Sequence, residues 1–150
     1  MARGGDPNAI RFPRAMEDSG DFDFSMSGLK TAVLRHVKAE RAAGREIEAA
    51  DLAASFQEAI VDVQVSKTLA AAEKEGVGTI LLGGGVVANS RLRERIMAEG
   101  EAAGLRVVYP PLELCTDNAA MIACVGAARA ARGERTPLDT GADPNLGLTP

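Results

Sequence analysis

The chain has 150 residues, 46% hydrophobic and 25% charged, with a formal net charge of −4. That balance is typical of a globular domain and excludes a disordered polyelectrolyte. The acidic pI of about 5.1 argues against nucleic-acid binding by bulk charge, and no apolar run reaches the roughly 20 residues of a membrane-spanning helix.

Nothing at the start reads as a signal peptide. The two cysteines, Cys115 and Cys124, form no C-x-x-C pair. These features point to a cytoplasmic chain with reduced thiols and no membrane partner. Aromatics make up only 3% and Trp is absent, which favours helices packed through small residues.

The first twenty residues are polar, and only "GDPNAIRF" suggests a helical turn, with Asp6 capping and Pro7 at the first helical position. "FDFSMSG" (22–28) alternates apolar and polar residues and predicts a short strand or an extended entry to the next helix. In 29–44, Leu29, Ala32, Val33 and Val37 share one face with basic residues elsewhere, so an amphipathic helix ending at Gly44 is expected. The strongest helix is 51–76, with Leu52, Phe56, Ala59, Ile60, Val63 and Leu69 at helical spacing and Gly76 as its stop. "TILLGG" (79–84) predicts a buried strand. A helix over 90–104 follows, with Leu92 and Ile96 inward, then a strand over 105–111 ended by two prolines. A last helix is expected over 116–133 and a loop-like tail over 134–150, so the α/β portion is 1–133. The order α-β-α-β-α from residue 51 implies parallel pairing through a crossover helix. Two strands make a poor sheet by themselves, so further strands are expected from elsewhere.

Gly83, Gly84 and Gly85 sit where strand gives way to helix. Such a turn lets a ligand approach the backbone, and the next helix offers N–H groups to an anion; the alternative is a tight turn that simply needs positive φ. The run is neither a Walker A loop nor a G-x-G-x-x-G fingerprint. Asn89 opens the following helix, either as its N-cap or as a hydrogen-bonding group for a nucleotide. Asp117, at the mouth of the last helix, reads first as a cap and second as a carboxylate directed toward the same crevice as Asn89. Arg91, Arg93 and Arg95, and Arg129, Arg132 and Arg135, are clusters that read as solvated helix surface before they read as nucleic-acid patches. His36 has no partner at metal-ligand spacing. The cysteines read as packing residues, and Ser25 and Ser27 as turn residues.

Four blocks, "FDFSMSGLKTAV", "DLAASFQEAIVDV", "GGGVVANSRLRE" and "LCTDNAAMIA", occur in an order and spacing that closely resemble the C-terminal half of the TsaD family. These are the tRNA N6-adenosine threonylcarbamoyltransferases, also known as the Gcp or peptidase M22 glycoproteases. The resemblance covers residues 5 to 133. It implies the C-terminal portion of an actin-like, Hsp70 and sugar-kinase (ASKHA, RNase H-like) two-domain α/β fold, incomplete in this chain. It also implies transfer of a threonylcarbamoyl group from threonylcarbamoyl-AMP to N6 of the adenosine 3′ of the anticodon. The base amine attacks the carbonyl and AMP leaves.

Carried over by motif, Asn89 corresponds to the family's adenylate-binding asparagine, and Gly83, Gly84 and Gly85 to its glycine turn. Asp117 corresponds to an aspartate ligand of a divalent metal, iron or zinc. The family's two histidine ligands come from an H-x-x-x-H motif that this chain lacks, so its metal site is expected to be incomplete. The partners implied are tRNA, a smaller TsaB-like paralogue and a TsaE-like P-loop ATPase. The isolated chain is expected not to catalyse transfer. The alternative is a truncated, non-catalytic nucleotide- or partner-binding remnant.

Overall fold

The structure is a computed structural model that describes residues 1–145 and 147. Its elements in chain order are α1 (Ser27–Ala42), α2 (Ala49–Lys74), β1 (Thr79–Leu81), α3 (Ser90–Ala102), β2 (Arg106–Val108) and α4 (Ala119–Ala131). Short 3-10 turns cover Ala2–Gly4, Gly85–Ala88 and Leu112–Leu114. The chain divides into two compact units, Met1–Cys115 and Thr116–Pro150.

In the first unit, β1 and β2 pair in parallel, with Thr79 opposite Arg106, Ile80 opposite Val107 and Leu81 opposite Val108. This is the expected strand–helix–strand order, with α3 as the crossover. The strands are shorter than predicted because the ladder closes early. Leu82 N–H still donates to the Val108 carbonyl, and the chain then turns through the glycines.

Two apolar clusters hold the first unit together. Val61, Val65 and Ala72 of α2 pack with Ile80 of β1 and with Leu92 and Ile96 of α3. Ala59 of α2 packs with Phe12 and Leu29, supported by Ile10, Val33, Leu52, Phe56 and Ile60. Helix α2 therefore buries opposite sides at once, which is why Val61 and Val65 are fully buried outside the stripe expected from the sequence. α1 and α3 follow their predicted faces, with Leu29, Leu92 and Ile96 all buried. The helices stop one or two residues short of Gly44, Gly76 and Gly104, the predicted stop residues.

Of the two readings of 22–28, the strand does not form, because the sheet contains only β1 and β2 among the described residues and offers that segment no ladder; the segment is the entry to α1. Instead, the ammonium of Lys67, buried in α2, donates to the Asp21 and Asp23 carbonyls at 3.0 and 2.7 Å and to Ser19 Oγ at 2.8 Å. The chain reaches α1 as an irregular segment pinned by one cation. Asp6 caps the turn expected there, its Oδ1 accepting from Asn8 N–H at 2.8 Å and its carbonyl from Ala9 N–H at 3.3 Å.

In the second unit, α4 carries no buried residue, and the described tail beyond it forms no helix or strand. No helix among the described residues is long and apolar enough to cross a membrane.

Candidate functional site

The glycine turn lies at the C-terminal end of β1. Gly84 has φ +81° and ψ 170°, a conformation essentially restricted to glycine. Gly83 and Gly85 do not need positive φ, yet a Cβ at any of the three positions would meet nothing within 4 Å. The space above the turn is open to solvent rather than filled by neighbouring side chains. The N–H groups of Gly83 and Gly84 donate to no acceptor among the described residues. Two adjacent exposed glycines therefore carry amides with no acceptor among the described residues, the kind of backbone donor a phosphate or carboxylate uses.

The turn is braced from below. Val87, in the 3-10 turn, is buried, whereas Val86 is exposed. Arg93 donates from Nη1 to the Val87 carbonyl and lies over the Tyr109 ring at 5.9 Å.

Asn89 caps α3: its Oδ1 accepts from Arg91 N–H at 3.0 Å and Leu92 N–H at 3.4 Å. That settles which end of the amide faces the helix. Its Nδ2 makes no hydrogen bond among the described residues and is available to donate. The cap and ligand readings of Asn89 use different atoms of one side chain and are compatible.

The arginines of α3 form neither a solvated face nor a free basic patch. Arg91 clamps Glu58 of α2 in a bidentate pair, Nε to Oε2 and Nη2 to Oε1, both at 2.8 Å. Arg95 Nη1 reaches Glu58 Oε1 at 2.6 Å and Asp62 Oδ1 at 2.8 Å. Arg14 closes the network on Asp62 Oδ2 at 2.7 and 2.9 Å. Glu58 is 7% exposed. The Arg91 hydrogen bonds hold its carboxyl below the ordinary carboxylate range. Burial works against the ionised form of Asp62, but the bonds from Arg95 and Arg14 outweigh it, so its pKa also lies low. This network fixes the first turn of α3, and hence Asn89 and the glycine turn, against α2. Sequence reasoning placed none of it, although acids at 58 and 62, one turn apart on the same face of α2, were the available signal.

A cleft of about 490 Å³ opens beside this network, bordered by Arg3, Gln57, Glu58, Ser90, Arg91 and Glu94. It adjoins the start of α3 but not the glycines.

In the second unit, Asn118, not Asp117, is the N-cap of α4: Asn118 Oδ1 accepts from Met121 N–H at 3.0 Å. Asp117 is exposed, and its carboxylate makes no hydrogen bond or ion pair among the described residues. The cap reading of Asp117 therefore fails, because its neighbour already fills that position. Among the described residues no group of three or more His, Cys, Asp or Glu side chains could hold a metal ion. Transition-metal sites take three or four protein ligands, so these residues do not by themselves constitute one.

His36 is half-buried, with its ring edge-on to Phe12 at a centroid distance of 5.9 Å. Cys115 is buried, Cys124 is exposed, and both are free thiols. Arg129 and Arg132 both pair with Glu134.

The chain matches the family model described as TsaD, tRNA N6-adenosine threonylcarbamoyltransferase, over residues 1–124. It is 50% identical over 148 residues to the tRNA N6-adenosine threonylcarbamoyltransferase of Moorella thermoacetica, covering 99% of this chain and 43% of that protein. It is 51% identical over 148 residues to that of Symbiobacterium thermophilum, covering 99% of this chain and 43% of the relative. Against that of Kosmotoga olearia it is 48% identical over 147 residues, covering 98% and 43%. The chain thus spans less than half the length of the curated relatives it matches. A mixed α/β unit with a small parallel sheet, four motif blocks in register and a family match over most of the sequence lead to one conclusion: the chain belongs to the TsaD family.

Proposed function

We propose that this chain contributes the adenylate-binding part of a tRNA N6-adenosine threonylcarbamoyltransferase, within an actin-like, Hsp70 and sugar-kinase type of two-domain fold. The observation that carries the reading is the open glycine turn beside a capping asparagine whose amide nitrogen makes no hydrogen bond among the described residues. The free amides of Gly83 and Gly84 take an adenylate phosphate oxygen, and Asn89 Nδ2 donates to the nucleoside. The chain's own residues bind and orient the donor; no nucleophile or base among them is assigned to the transfer step. The base amine of tRNA is the nucleophile and AMP the leaving group.

Asp117 is proposed as one carboxylate ligand of a divalent metal, iron or zinc, whose other ligands lie outside this chain. The TsaB-like paralogue, the TsaE-like ATPase and the cytoplasm as compartment belong to the same proposal. Because the relatives are more than twice the matched length, the 150-residue chain alone is expected not to turn over.

The test separates binding from folding at Asn89. Asn89→Ser keeps a capping oxygen and removes the amide donor, whereas Asn89→Ala removes both. Threonylcarbamoyl-AMP or AMP binding, followed by calorimetry, is expected to weaken about tenfold in both variants, the loss of one hydrogen bond to a charged or polar ligand. Thermal stability is expected to fall only in Asn89→Ala, by about 1 kcal/mol. Unchanged affinity in Asn89→Ser would leave Asn89 as a cap alone and remove the basis of the proposal.

A further inference from the structure

The outward face of α1 carries four cations and no acid. Along this helix the exposed positions are Ser27, Gly28, Lys30, Thr31, Leu34, Arg35, Lys38, Ala39, Arg41 and Ala42, while Leu29, Ala32, Val33, His36, Val37 and Glu40 are buried or half-buried. At 3.6 residues per turn, Lys30, Arg35, Lys38 and Arg41 fall within an arc of about 140°, and they extend about 16 Å along the axis. The one acid of the helix, Glu40, lies outside that arc and is taken by Arg45 through two hydrogen bonds at 2.6 and 2.7 Å. None of the four outward cations makes an ion pair among the described residues.

The other arginine clusters differ. Arg91 and Arg95 are committed to Glu58 and Asp62, and Arg129 and Arg132 to Glu134. In a chain of net charge −4, an uncompensated cationic stripe of this length is a local inversion of the molecule's field. Such stripes attract a polyanion whose charges repeat at short spacing.

We propose that the Lys30–Arg35–Lys38–Arg41 face of α1 is a phosphate-backbone contact surface for RNA. The inference rests on the reading of this chain as part of a tRNA-modifying enzyme, and it adds where the RNA is held. Contacts of this kind position a nucleic acid without reading its sequence. The surface sets the orientation of the tRNA, and the choice of the modified adenosine is made elsewhere.

The experiment uses the 150-residue chain and a fluorescently labelled, unmodified tRNA transcript with adenosine 3′ of its anticodon. Anisotropy is followed across a salt series. Two α1 variants, Lys30→Gln with Lys38→Gln and Arg35→Gln with Arg41→Gln, are compared with Arg129→Gln plus Arg132→Gln, which removes the same charge. Circular dichroism checks that each variant folds.

Each cation that releases a counterion contributes about 0.7 to 0.9 to the slope of log K against log salt. Each α1 variant is therefore expected to lose about 1.4 to 1.8 in slope and at least about tenfold in affinity near 0.1 M salt, with the control within about twofold. Equal losses in variants and control would show a net-charge effect and overturn the proposal. So would undetectable RNA binding by the parent chain. Displacement of the RNA by poly-L-glutamate at equal charge concentration would make the surface a general polyanion site and overturn the assignment to RNA. AMP binding measured in parallel separates the failures. Asn89-dependent AMP binding with α1 variants that bind RNA normally defeats only this inference, whereas absence of AMP binding defeats the functional reading beneath it.

Discussion

At Gly84 and Gly85 two demands on glycine come apart. Gly84 needs its missing side chain for conformation, because φ is +81°, while Gly85 has ordinary φ and open space around the position of a Cβ. Gly84→Ala is expected to cost about 1–3 kcal/mol in thermal unfolding. Gly85→Ala is expected to leave stability within about 0.5 kcal/mol but to weaken adenylate binding by intruding on the ligand's space. If Gly85→Ala left affinity untouched, the ligand would not lie against that residue. Asp117 makes a similar separation. Its carboxylate makes no hydrogen bond or ion pair among the described residues, so Asp117→Asn should melt within about 0.5 kcal/mol of the parent. In a protein of the relatives' length, the same change should lower bound metal as read by elemental analysis. A large loss of stability instead would mark a structural residue.

At the scale of elements, the α2–α3 contact is both apolar and ionic. Val61, Val65, Leu92 and Ile96 supply the packing, and Glu58, Asp62, Arg91 and Arg95 fix the register of one helix on the other. Glu58→Gln leaves two arginines with weakened partners and should cost about 2–3 kcal/mol, the range for hydrogen bonds to charged groups. The pH dependence has a definite sign. Both carboxyls have folded-state values below their ordinary ones of 4.5 and 3.8. Over that window the unfolded chain binds more protons, so the network's contribution is complete above about pH 5 and is lost as pH falls through the depressed values. A melting series from neutral to acid pH should show this fall in the parent and a flatter curve in Glu58→Gln with Asp62→Asn. Identical curves would mean that other carboxylates control acid unfolding.

At the scale of the molecule, the first unit builds its sheet from two strands, and Leu81 on β1 is 77% exposed. Open strand edges with apolar side chains template association with other chains. The 150-residue chain is therefore expected to self-associate as its concentration rises, and Leu81→Lys to shift it toward monomer in light scattering. A parent chain that stays monomeric throughout would show that this edge is protected. In the second unit, Ile122 and Val125 of α4 are 68% and 59% exposed. Both are apolar side chains left open among the described residues of a chain that spans 43% of the length of its Moorella thermoacetica relative.

Local patterns in the sequence determined the four helices, the two strands, their parallel order and the glycine turn. Helical spacing, glycine stops and short apolar runs act within a few residues of chain, and so they are legible without tertiary contacts. The four motif blocks likewise carried the family. Tertiary structure decided what depends on partners distant in sequence. The segment 22–28 is not a strand, because no ladder meets it and Lys67, more than forty residues later, holds it by its carbonyls. Arg91 and Arg95 are structural because two acids about 33 residues earlier lie beneath them. The α1 cations make no ion pair among the described residues, because no described acid folds onto them. Charge on a helix reads the same in sequence whether it is paired or not; only the fold determines which cations remain available for a ligand.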